Sequence, residues 1–126
     1  MKLSLLVALS AIALATPLRA EPVPAQQPVA TIVVVQTPAG LSRAAIETGF
    51  QQAAPTYRKV PGLLRKYFTV NATSFGGMYL WSSRAAAEAW FTPQWRARAK
   101  ATYGTEPELI YFDSPLQIDM TGTGEK

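Results

Sequence analysis

Arg65, Tyr67, Asn71 and Tyr79 are the side chains of this sequence whose types and spacing best suit chemistry. A tyrosine hydroxyl can take or share a proton, while a guanidinium or a carboxamide can hold a developing oxyanion. Trp81, Trp90 and Phe50 are large enough to wall an apolar substrate pocket beside them. Each of these residues also has a structural reading. Trp81 and Trp90 can be core fillers, and the tyrosines can serve an interface with wet hydroxyls. Asn71 stands where a strand meets a turn, a position asparagine takes for backbone reasons. Arg65 is followed by Lys66, and neighbours in a strand face opposite sides, so one is a rim cation and the other could be buried at a seam between two copies.

The residues that are missing narrow the chemistry further. The chain has 126 residues, with neither cysteine nor histidine. Zinc sites, haem on a proximal histidine, iron–sulfur clusters, disulfide scaffolds and Ser-His-Asp or Cys-His nucleophiles each need one of those two. Without histidine, no side chain of ordinary pKa near neutrality is present to act as a base. No carboxylate pair replaces it, because Glu106 and Glu108 fall near a loop and Glu88 lies among alanines. Metal-free or carboxylate chemistry remains, and no metal site is expected.

The elements that must position these groups follow from the pattern of apolar residues. With 48% hydrophobic and 16% charged residues, the composition fits a globular domain rather than a disordered chain, and the chain's length suits one domain of about 100 residues. Thr31 to Gln36 is a β-branched run that predicts a strand buried on both faces. Ser42 can cap a helix with Ile46, Gly49, Phe50 and Ala53 on one side, which Pro55 should end or kink. Leu63 to Asn71 predicts a second strand, with Leu64, Lys66, Phe68 and Val70 on one face and Leu63, Arg65, Tyr67, Thr69 and Asn71 on the other. Phe75 to Trp81 folds back antiparallel, and its Gly76-Gly77 step marks a bulge or the close approach of another group. Helices over Arg84 to Phe91 and from Thr92-Pro93 to Tyr103, stopped by Gly104, precede a last strand at Glu108 to Asp113. The order β-α-β-β-α-β, with a split second helical region, predicts an α+β ferredoxin-like sandwich on a four-stranded antiparallel sheet. Arg96, Arg98 and Lys100 read as the solvated face of a helix rather than as a nucleic-acid footprint.

The N-terminus reads as an export signal. Lys2 precedes a run from Leu3 to Ala15 that is too short to span a bilayer, and cleavage fits after Ala15 or Ala20. Residues 1–20 are thus a secretory signal, 21–29 a proline-rich linker, 30–120 the domain and 121–126 a flexible tail. Loss of Lys2 and Arg19 leaves 10 positive against 8 negative side chains, too balanced for a nucleic-acid binder. The expected product is periplasmic or secreted, with no stable membrane anchor.

Pro61-Gly62-Leu63-Leu64-Arg65-Lys66-Tyr67-Phe68-Thr69, Gly76-Gly77-Met78-Tyr79-Leu80-Trp81 and Ala85-Ala86-Ala87-Glu88-Ala89-Trp90 carry a resemblance, extended by Phe112-Asp113 and Pro115-Leu116. Over about residues 30–120 the chain resembles the YdhR-like monooxygenases of the dimeric α/β-barrel superfamily. The resemblance implies a homodimer whose sheets pack face to face, a pocket between sheet and helices, and oxidation of aromatic substrates by oxygen without metal or flavin. Such chemistry draws its electrons from a phenolate or enolate, which needs an apolar pocket, a proton acceptor and oxyanion donors. Tyr67, Tyr79, Asn71 and Arg65 would then be catalytic, and Trp81, Trp90 and Phe50 would contact a small aromatic or polyketide-like molecule. The export signal departs from that branch, whose members are usually cytoplasmic, so this chain would meet different substrates. The other reading is a non-catalytic exported dimer that binds a small apolar ligand.

Overall fold

The computed structural model describes Ala15, Pro17, Leu18 and residues 26–121. Most of the expected signal, of the linker and of the tail lies outside these residues. The order is β1 (Val29–Gln36), α1 (Arg43–Tyr57), β2 (Leu63–Val70), β3 (Ser74–Trp81), α2 (Arg84–Trp90), α3 (Pro93–Tyr103) and β4 (Glu108–Asp113). One four-stranded sheet runs β2-β3-β1-β4, antiparallel throughout, with the three helices on one side. This is the α+β arrangement the residue pattern predicts.

The helix starts are set by hydroxyl caps. Ser42, Ser83 and Thr92 each accept a hydrogen bond from a backbone N–H three residues on, which satisfies an otherwise orphaned donor. Pro93 follows its cap at the first position of α3, and Gly104 closes that helix at φ +82°. Pro55 is accommodated in the last turn of α1, which ends at Tyr57.

Strand register sorts the side chains into two layers. Lys66, Tyr79, Thr31 and Tyr111 form one row across the sheet on the helix side, and Tyr67, Met78, Ile32 and Ile110 form the next row on the opposite side. The helix side holds the core of Val33, Val35, Ile46, Phe75, Tyr79, Trp81, Ala87 and Phe91. Trp81 is completely buried and donates its indole N–H to Thr31 Oγ1 at 3.0 Å. Thr31→Val would leave that donor without a partner, and we expect a loss of about 1–3 kcal/mol in urea unfolding with the fold retained.

Two expectations are corrected here. β1 is not buried on both faces: Val29, Thr31, Val33 and Val35 are buried, whereas Ala30, Ile32 and Val34 are only half-buried because no element among the described residues covers the outer face of the sheet. In β2 the simple alternation fails at a bulge between Leu63 and Arg65. The extra residue turns Leu64 outward, 58% exposed, and sends Leu63 to the helix side with Lys66, Phe68 and Val70.

Candidate functional site

A cavity of about 480 Å³ opens between the helix side of the sheet and the inner faces of α1 and α3. That volume suits one small organic molecule. α1 contributes Ile46, Phe50 and Tyr57, α3 contributes Trp95, Arg98 and Tyr103, and the sheet contributes Val33, Lys66, Phe68, Phe75 and Tyr79. The α1 residues fall at helical spacing, so the stripe that packs on the sheet is the one that walls the cavity. Seven aromatic residues stand in the wall, and Phe50 lies 4.9 Å from Phe68 and 6.5 Å from Phe75, centroid to centroid.

Lys66 is the unusual group in this wall. Its ammonium nitrogen stands 3.5 Å from the ring centre of Tyr57, 3.9 Å from that of Tyr79 and 4.3 Å from that of Phe68. It also donates to the Tyr79 hydroxyl at 2.6 Å. Burial removes the water that would stabilise its charge and lowers its pKa to about 7. The three ring faces work in the other direction, because their negative quadrupoles favour the cation. Both protonation states are therefore within reach near neutrality. Burial pushes Tyr79 well above the ordinary phenol range, and Tyr57 is raised chiefly by the same cause. These two hydroxyls stay protonated and can donate.

The Gly76-Gly77 step supplies the room. A Cβ on Gly77 would stand 3.2 Å from Lys66 Nζ and 3.0 Å from the Tyr79 ring. The close approach expected of this step is made at Gly76 by the Val33 carbonyl and at Gly77 by the Tyr67 carbonyl, the Tyr79 ring and the lysine head group.

Of the residues that sequence reasoning placed in the site, Tyr79 and Phe50 line the cavity and the rest do not. Tyr67 lies opposite Met78 on the outer face, so the two tyrosines are on different sides of the sheet. Arg65 shares that outer face, donating to Tyr67 Oη at 3.2 Å and to Asp119 at 2.6 Å. Asn71 has its carboxamide oxygen committed to the β2–β3 turn, accepting from the backbone N–H groups of Thr73 and Ser74 at 2.9 and 2.7 Å. Trp81 backs the site from within the core, stacked 5.8 Å from Tyr79, and Trp90 packs behind Tyr57 at 5.2 Å. Lys66, Tyr57, Phe68 and Arg98 were missed as site residues. The signal for Lys66 was present, since it alone is charged among the apolar members of its strand face. Among the described residues no cluster of three metal-binding side chains occurs, and no helix is long and apolar enough to cross a membrane.

Comparison with solved structures places this arrangement. A candidate antibiotic biosynthesis monooxygenase from Caulobacter crescentus superposes with a TM-score of 0.54 at 18% identity, over 71% of this chain and 92% of that one. The cofactor-independent oxygenase SnoaB from Streptomyces nogalater, as a point variant, gives 0.52 at 21% identity, over 73% and 97%. The fold is shared with the antibiotic biosynthesis monooxygenases. A heme-degrading protein from Mycobacterium tuberculosis has the same fold, with a TM-score of 0.52 at 26% identity over 75% of this chain and 98% of that one. No protein-family model and no curated protein matches the sequence. The similarity is therefore one of architecture, and the chemistry must be argued from the cavity.

Proposed function

We propose that the protein is an exported, YdhR-like monooxygenase that oxidises a small aromatic or polyketide-like molecule with oxygen and without metal or flavin. One observation carries this reading: an amine enclosed by three aromatic rings and hydrogen-bonded to a tyrosine hydroxyl lies in the wall of an apolar cavity, where burial lowers its pKa to about 7. Neutral Lys66 supplies the base that the absence of histidine had removed. It takes the proton from a phenol or enol, and the resulting anion donates electrons to oxygen. A new C–O bond forms at the substrate carbon, and the peroxide so made takes a proton from the Lys66 ammonium or from the Tyr79 hydroxyl. Lys66, neutral again, then takes the remaining hydrogen of that carbon as a proton, and the C–H electron pair forms the C=O bond as the O–O bond breaks. One oxygen atom remains on the substrate as a carbonyl and the other leaves as water, with all the electrons supplied by the substrate. Apolar walls keep water from the anion. Haem held on a proximal histidine is no part of this reading, because the chain has no histidine.

Oxygen uptake with a polycyclic phenol or anthrone tests the reading. We expect substrate-dependent uptake that falls at least tenfold in Tyr79→Phe, which removes the donor beside Lys66. Tyr67→Phe should leave it unchanged, since that hydroxyl is on the other face. Tight binding of such compounds with no oxygen consumed would support the carrier reading instead.

The same reading includes a homodimer closed by the outer faces of two sheets. Tyr67, Met78, Ile110 and Phe112 are 54%, 48%, 37% and 50% exposed and run together across that face, and a contiguous exposed apolar patch of this kind marks an interaction surface. Met78→Lys, at the centre of the patch, is expected to convert a dimer into a folded monomer in sedimentation velocity. A wild-type monomer would remove the barrel from the proposal. Export to the periplasm or beyond rests on the apolar run from Leu3 to Ala15.

A further inference from the structure

Arg98 is the charged member of the cavity wall that the oxygenation chemistry leaves unused. α3 turns Trp95, Arg98, Ala99, Thr102 and Tyr103 toward the cavity, the three- and four-residue spacing of a single helix face. The cluster of Arg96, Arg98 and Lys100 is thereby split: Arg96 reaches Glu106 at 3.6 Å, whereas Arg98 belongs to the cavity stripe. Among the described residues Arg43, Arg65, Arg84 and Arg96 each pair with a carboxylate, whereas Arg58 and Arg98 pair with none, and of these two it is Arg98 that lines the cavity. Among the described residues no acidic side chain lines the cavity, whose charged groups are Lys66 and Arg98.

These two cations are not equivalent. Lys66 is enclosed by three rings and already donates to Tyr79. Arg98 is exposed, so its guanidinium marks the rim where the cavity meets solvent. A cleft with one sign of charge and low-dielectric walls concentrates ligands of the opposite sign. The guanidinium fork matches a carboxylate in both shape and charge.

We propose that the cavity takes an aromatic acid, its rings against Phe50, Phe68 and Phe75 and its carboxylate paired with Arg98 at the rim. The proposal builds on the oxygenase reading by naming the substrate class of the same cavity, but it concerns binding and is tested without turnover. Trp95 lines the cavity, so quenching of tryptophan fluorescence can report occupancy. The probes are 2-naphthoate and its neutral counterpart 2-naphthamide, titrated into the purified chain at low salt. Naphthoate should bind at least tenfold more tightly. That advantage should disappear in Arg98→Gln and persist in Lys100→Gln, which removes a nearby surface charge outside the cavity wall. Equal affinity for acid and amide, or an acid preference that survives Arg98→Gln, would overturn the proposal. So would failure of both probes to bind a chain that circular dichroism shows to be folded, and that result would also remove the cavity from the oxygenase reading. Offering 6-hydroxy-2-naphthoate as substrate separates the two claims. Arg98-dependent binding of this acid without oxygen uptake upholds the acid site and sinks the oxygenase, whereas uptake from a neutral phenol without acid preference does the reverse.

Discussion

Replacing Lys66 with methionine is expected to make the protein more stable at neutral and acidic pH while reducing oxygen uptake at least a hundredfold. Methionine keeps most of the length and fills the space between Tyr57, Phe68 and Tyr79, but it carries no charge into the aromatic wall. The lysine, by contrast, has its pKa lowered from 10.5 to about 7 by burial. Below pH 7 both the folded and the unfolded chain carry the ammonium, so the full cost of burying it is present. Between pH 7 and about 10.5 the unfolded chain holds the proton and the folded chain does not, so this cost is relieved as the pH rises. The methionine variant should therefore exceed the wild type by on the order of 2–4 kcal/mol at pH 6, allowing for the part of the ammonium that water still reaches. The gap should narrow steadily toward pH 10. Urea unfolding of both proteins at pH 6, 7.5 and 9 measures it, and taking the difference removes the titration of the remaining lysines and tyrosines. A gap that does not change with pH would mean that Lys66 keeps its ordinary pKa, and the base in the proposed reaction would be lost. A residue that weakens the fold and is needed by the cavity is what a functional group held in an apolar wall should look like.

The path from sequence to this cavity was legible at the level of elements and failed at the level of faces. Strand and helix positions follow from apolar spacing, hydroxyl caps, Pro93 and Gly104, all of which act locally, and the structure keeps the predicted order. Faces depend on register, and register is decided by pairing between distant segments. Whether Tyr67 or Lys66 stands beside Tyr79 turns on a shift of a single residue, and the pairing selects Lys66. The bulge at Leu64 is equally invisible beforehand, since Leu63 and Leu64 are the same residue type and either could face the core. The absence of histidine pointed away from acid-base chemistry because ordinary pKa values were assumed. Burial made that assumption fail at Lys66, and burial is a property of the packed structure. Arg98 was concealed for a related reason: in a basic stretch of α3, only the position of the sheet says which cation turns inward.

Gly76→Ala should cost about 3 kcal/mol or more and leave little folded protein, whereas Gly77→Ala should fold and disturb the site. The two glycines are adjacent in β3, yet they are needed for different reasons. A Cβ on Gly76 would run into the carbonyl of Val33, and the residue sits at φ +158°, where side chains are rarely found. Val33 belongs to β1, paired on both sides by β3 and β4, so its backbone cannot yield without breaking two ladders at once. A Cβ on Gly77 instead meets Lys66 Nζ, the Tyr79 ring and the Tyr67 carbonyl at 3.2, 3.0 and 3.0 Å. The first two belong to side chains that can give by a few tenths of an ångström, and in doing so they loosen the contact between amine and hydroxyl. Thermal unfolding and soluble yield should separate the variants, with Gly76→Ala the more damaged, while oxygen uptake per folded molecule should fall in Gly77→Ala. Similar damage to the fold from both would mean that the Gly-Gly step serves sheet geometry alone. A Gly77→Ala variant that keeps full activity would show that the position of the Lys66 head group, and with it the hydrogen bond to Tyr79, does not limit the reaction.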